Sequence, residues 1–98
     1  MRQFRYANEN DLNWLKCHDI HVKEAWIKRC IGHNEYLVSA HENELTGFIR
    51  FSNFWGKLPY LDMIFILPEY RNRGIGKSLF LFWEKEMKKN NAKVLITS

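Results

Sequence analysis

Residues 60–87, YLDMIFILPEYRNRGIGKSLFLFWEKEM, leave the chain little choice of architecture. YLDMIFIL is a nearly continuous apolar run, which predicts a strand covered on both faces. Pro68 lacks the N–H that a ladder needs and ends that strand. From there Ile75, Leu79, Phe80, Phe82, Trp83 and Met87 gather on one side of a helix, with Lys77, Glu84, Lys85 and Lys88 opposite. Leu81 is off the stripe and Glu86 sits within it. The β-prone run AKVLITS, residues 92–98, follows. A crossover helix joins parallel strands, so the fourth and fifth strands are expected to run parallel.

The first half supplies the remaining elements. RQFRYA alternates as a first strand, and in NENDL either Asn8 or Asn10 can cap a helix whose first turn suits Glu9 and Asp11. Leu12, Leu15, Val22, Trp26 and Cys30 recur at helical spacing, interrupted by HDIH, so two short helices are expected, with Gly32 stopping the second. EYLVSAH, the tight turn ENE, and LTGFIRFSNFW follow as strands, the last with Phe48 and Phe54 on one face and Ile49 and Phe51 on the other. GKLP turns into the apolar strand. The order is β-α-α-β-β-β-α-β, an α/β (α+β) domain over residues 1–98 with a mostly antiparallel central sheet.

Composition narrows the function classes. With 98 residues and 46% hydrophobic content, the chain is expected to pack one core and is not a disordered segment. A net charge of +4 without a basic block is a weak basis for a small nucleic-acid-binding domain, and no nucleic-acid partner is expected. Cys17 and Cys30 lie in helical patterning and are expected as reduced thiols; Cys17, His18 and His21 lack an evident fourth ligand, so no metal is expected. The N-terminus has no apolar signal region and no run approaches membrane-spanning length, which gives a soluble, cytoplasmic expectation without membrane partners.

The connection RNRGIG, residues 71–76, is built for an anion. The first amides of a helix have no internal partners and carry the positive end of its dipole. Gly74 and Gly76 remove side chains from above those donors, and Arg71 and Arg73 add forked, charged ones. Three phosphate-binding patterns can be compared. A dinucleotide fingerprint, G-x-G-x-x-G, fails at Leu79; a Walker loop matches at Gly76-Lys77-Ser78 but has Arg71 where its leading glycine belongs. The third, R/Q-x-x-G-x-G/A, is met in full by Arg71, Asn72, Arg73, Gly74, Ile75 and Gly76, after LDMIFILPEY and before KVLITS.

On these residues the sequence resembles the GNAT superfamily of acyl-CoA-dependent N-acetyltransferases over nearly its whole length. The resemblance implies that acetyl-CoA is the co-substrate, with its pyrophosphate on the amides of Arg71, Asn72, Arg73, Gly74, Ile75, Gly76 and Lys77. Its pantetheine arm would pair like an added strand with Ile64, Phe65 and Ile66, where the fourth strand splays from the fifth. A primary amine, on a small molecule or a peptide, would lose its proton to a carboxylate and attack the thioester. Asp62 resembles the acidic position of the strand; Tyr60 occupies the position two residues earlier that carries the base in other members. A competing reading makes Asp62 a structural residue hydrogen-bonded at the strand end. Family members usually continue past the fifth strand with a helix and hairpin that supply a thiolate acid. With Ser98 last in this sequence, a truncated member is expected, self-associating as a homodimer through its fifth strand and slow in transfer. The rival function is a non-catalytic coenzyme A-binding or self-associating module.

Overall fold

In a computed structural model, which describes residues 2–54, 58–89 and 96–97, the elements are β1 (Arg2–Tyr6), α1 (Leu12–His18), α2 (Glu24–Gly32), β2 (Tyr36–His41), β3 (Glu44–Phe54), β4 (Leu58–Ile66), α3 (Ile75–Lys89) and β5 (Ile96–Thr97). Of the expected turn GKLP, Gly56 and Lys57 lie outside the described residues, while Leu58 and Pro59 already belong to β4, which starts two residues earlier than YLDMIFIL; most of AKVLITS also lies outside the described residues.

Local chemistry fixes the boundaries. The Asn8 side-chain oxygen accepts the Asn10 amide at 2.9 Å, and the Asp11 carboxylate accepts the Asn8 amide at 2.8 Å. This reciprocal cap starts a 3-10 turn, Glu9–Asp11, that leads into α1. Arg5 clamps Asp11 with two parallel bonds, 2.8 and 3.0 Å, tying β1 to the helix start. The break expected at HDIH falls between His18 and Glu24. Gly32 closes α2 without a positive φ; the left-handed residue is Asn34, φ 56°, a type that tolerates this conformation. Glu42 and Asn43, φ 50° and 70°, form the two-residue hairpin loop between β2 and β3.

β1 to β4 form a four-stranded antiparallel sheet in sequence order, and Ile96 and Thr97 of β5 lie beside Tyr60 and Leu61 of β4. One face carries α1 and α2, packed through Leu15, Ile27 and Cys30 on Tyr36, Val38 and Phe48. The other carries α3, whose Leu79, Trp83 and Met87 meet Leu37, Ile49, Phe51 and Leu61. The expected apolar stripe of α3 is thus the buried one, and Leu81, off that stripe, is 52% exposed. Ile49 and Phe51 face α3 while Phe48 faces α1, as the alternation of β3 predicts.

Two irregularities interrupt the ladders. Thr46 is an extra residue in β3 opposite the Ser39–Ala40 step of β2. In β4, Arg50 pairs with Met63 and Phe51 with Leu61, so Asp62 is an extra residue with no opposite number. Leu61 faces α3, whereas Met63 and Phe65 face α1 and α2.

Candidate functional site

The loop between β4 and α3 is pinned at its start. The Leu67 amide donates to the Thr46 carbonyl at 2.9 Å, Pro68–Tyr70 make one 3-10 turn, and the Arg71 amide closes it on Pro68. Asn72 and Gly74 then take left-handed φ, 63° and 77°. The first bond of the helix is Ser78 N–H to the Gly74 carbonyl at 3.0 Å. Among the described residues, the amides of Ile75, Gly76 and Lys77 in the first turn of α3 make no backbone hydrogen bond. They are the orphan donors of a helix start. A Cβ on Gly74 would meet nothing within 4 Å, so the space over these donors is open. Gly74 is required by its φ; Gly76, where a Cβ would sit 3.7 Å from Ile66, is not required by the protein's own packing.

Both arginines hold the loop as well as charging it. Arg71 donates from Nε to the Ile66 carbonyl at 2.9 Å and lies 5.8 Å from the Phe65 ring centroid. Arg73 stands 5.4 Å over Tyr70, and its carbonyl accepts from Arg2 of β1 at 3.3 Å. Arg71, Arg73 and Lys77 are all exposed.

The described part of β5 reaches only as far as Leu61 along β4. Ile64, opposite Ile49 and so on the α3 face, is 40% exposed. Phe65 packs against Phe48 and His18 with ring centroids 5.6 and 5.7 Å apart. The side chain of Ile75 is core, leaving its amide as the group that faces the open space. β3 approaches β4 closely at Gly47, where a Cβ would meet the Phe65 carbonyl oxygen at 2.6 Å; the glycine inside LTGF is the sequence mark of that approach.

Strict alternation puts Asp62 on one face with Tyr60 and Ile64, and the bulge corrects this. Asp62 accepts from Ser52 Oγ at 2.5 Å and lies 3.7 Å from the Arg50 guanidinium, both on the α1–α2 face. Tyr60, opposite Ser52, shares that face, while Ile64 does not. Arg50 in turn donates from Nε to Asp19 at 2.8 Å, and the Tyr36 hydroxyl donates to the same Asp19 oxygen at 2.5 Å. Asp19, Tyr36 and Arg50 are buried. Burial pulls the Arg50 guanidinium down, but its bond to Asp19 and the surrounding negative charge outweigh this and raise it above its usual value. Burial first, then the bond to Asp19 and its charge, push the Tyr36 hydroxyl far upward. Sequence reasoning missed this chain. Its signal was present: Arg50 is a charged residue between Ile49 and Phe51, on the same face of the strand as Phe48.

Other candidates stand apart. Cys17 is exposed, and burial pushes the Cys30 thiol up to about 11, which makes it unreactive. Among the described residues no group of three or more potential metal ligands converges, and no helix is long and apolar enough to cross a membrane. A cleft of about 490 Å³ lined by Asn8, Glu9, Leu12, Lys28, Ile31 and Gly32 shares no residue with the loop or β4.

A four-stranded antiparallel sheet with helices on both faces, and a glycine-containing loop leading from a bulged strand into a helix, define a GNAT-like α/β domain. Residues 3–98 match the family model described as Acetyltransferase (GNAT) family, and the chain belongs to that family. Among solved structures it is similar to a ribosomal-protein-alanine N-acetyltransferase from Brucella melitensis biovar Abortus, at 13% identity and TM-score 0.81, covering 100% of this chain and 79% of that one. It is similar to AAC(6')-Iy in complex with the bisubstrate analog CoA-S-monomethyl-acetylneamine, at 16% identity and TM-score 0.80, covering 100% and 79%. It is also similar to a GNAT-family acetyltransferase from Bacillus cereus, at 25% identity and TM-score 0.70, covering 84% of this chain and 61% of that one. No curated protein matches the sequence.

Proposed function

We propose that this chain is an acetyl-CoA-dependent N-acetyltransferase for a primary amine on a small molecule or peptide. The observation that carries the reading is the set of unbonded helix-start amides at Ile75, Gly76 and Lys77, beside the open position at Gly74. Such donors, with Arg71, Arg73 and Lys77 around them, suit a pyrophosphate. The similar structure bound to a coenzyme A bisubstrate analog supports the same ligand class. Beside the loop, the main chain at Ile64 would take an amide-bearing arm as an added strand, where β4 and β5 are proposed to run parallel and splay; the Phe65 carbonyl lies against Gly47 of β3, so Phe65 would contribute its surface. The Ile66 carbonyl already accepts from Arg71, so Ile66 would contribute its surface rather than that oxygen.

When bound, acetyl-CoA supplies an activated acetyl thioester. The amine nitrogen would bond to the acetyl carbon as the carbon–sulfur bond breaks; the amine gives up one proton and the leaving sulfur takes one. Asp62 is the proposed acceptor of the amine proton, with Tyr60 on the same face as the alternative. Both described contacts of Asp62 fall on Oδ2, which leaves Oδ1 for a substrate. The same ties to Ser52 and Arg50 favour a second reading, a coenzyme A-binding module in which Asp62 is structural. Titration calorimetry with acetyl-CoA, followed by an acceptor panel of polyamines, aminoglycosides and peptides, separates the two. Micromolar binding with turnover on one class supports transfer, binding without turnover supports the module, and no binding refutes both. Two-fold self-association accompanies the proposal, supported by the uncharged run Val94, Leu95 and Ile96 and by exposed Ile64. Light scattering at micromolar concentration is expected to give twice the chain mass, and a monomer would remove this part.

A further inference from the structure

We propose that Arg50 is a positioning residue for Asp62, anchored on Asp19 and holding the carboxylate at the β4 bulge toward the acceptor amine. This rests on the reading that Asp62 receives the amine proton. Arg50 is 8% exposed on the inner face of a central strand, where a leucine or methionine would pack without desolvating a charge. Its anchoring needs only Nε, which lies 2.8 Å from Asp19, itself fixed by Tyr36. The rest of the fork extends toward Asp62, with Nη1 3.7 Å from Oδ2, where Ser52 donates from the next inward position of β3. The bulge makes this grip possible, because the extra residue sits beside the step between Arg50 and Phe51 and can be reached from Arg50 and Ser52 together. Two carboxylates around one guanidinium leave net negative charge, which favours approach of a cationic amine.

Arg50→Lys is the test, since one ammonium can satisfy Asp19 but cannot also span to Asp62. The Ser52 hydroxyl proton, bonded to Asp62, is expected as a slowly exchanging NMR signal in the wild-type chain and is lost in Arg50→Lys. With an accepted amine, kcat falls about tenfold or more while acetyl-CoA affinity stays within about twofold. In an Asp62→Asn background the same change has no further effect on kcat, which an independent structural role would not produce. Should Arg50→Lys not fold, Asp19→Asn with Arg50→Gln removes both buried charges together and is read in the same way. A hydroxyl signal missing from the wild type, a signal that survives the substitution, or equal kcat losses in both backgrounds overturns the proposal. A signal lost on substitution in a chain that acetylates no amine supports the positioning and refutes the transfer reading instead.

Discussion

Gly74 joins a φ of 77°, where most side chains are strained, to an open approach at its own position. Gly74→Asp places a carboxylate among donors suited to phosphate. Calorimetry is expected to show acetyl-CoA binding weaker by about 2 kcal/mol or more, through lost charge-assisted bonds and like-charge repulsion. Asp62→Asn keeps shape and removes the proposed base; turnover of an accepted amine is expected to fall roughly 10²-fold with little change in acetyl-CoA affinity. An unaltered kcat in that variant would return Asp62 to a structural role. The two residues were legible to different degrees. Glycine and arginine spacing marks the loop because the chemistry is local. The surroundings of Asp62 depend on Asp19 and Arg50, far away in sequence, and on an inserted residue that alternation cannot register.

At the scale of elements, boundaries were readable wherever a local cap or turn decides them. Asn8 with Asp11 through their side chains, Asn43 through its tolerance of left-handed φ, and Pro68 through its missing N–H each end or begin an element. The bulges were not readable, because Thr46 and Asp62 differ from their neighbours only in what lies across the ladder. The cap of the 3-10 turn ahead of α1 carries a pH dependence. Burial pushes the Asp11 carboxyl up, but the bonds from Arg5 and the Asn8 amide and the Arg5 charge overcome this and hold it below its usual value. A lowered folded-state value means stability that is complete above the unfolded value of about 3.9 and is lost as pH falls through the folded one. Asp11→Asn is expected to cost about 1–2 kcal/mol at neutral pH and to flatten the stability curve below pH 4. Urea unfolding midpoints across that range check both.

For the molecule as a whole, the layered order was legible because each helix has one apolar stripe and the sheet needs cover on two faces. Where the proposed site meets that scaffold, the distinctive feature is the extra residue Asp62. Remove it, and Leu61 and Met63 become consecutive, opposite Phe51 and Arg50, which are already consecutive. Every remaining side chain of β4 keeps its present face and its present partner. The strand is thus a regular ladder with one residue inserted, tied to β3 through Ser52 and Arg50. Deleting this one residue is expected to leave the thermal unfolding midpoint within a few degrees of the parent, by restoring a regular ladder. The same deletion is expected to abolish acetyl transfer. Scaffold and reactivity would then be encoded separately, a single codon apart.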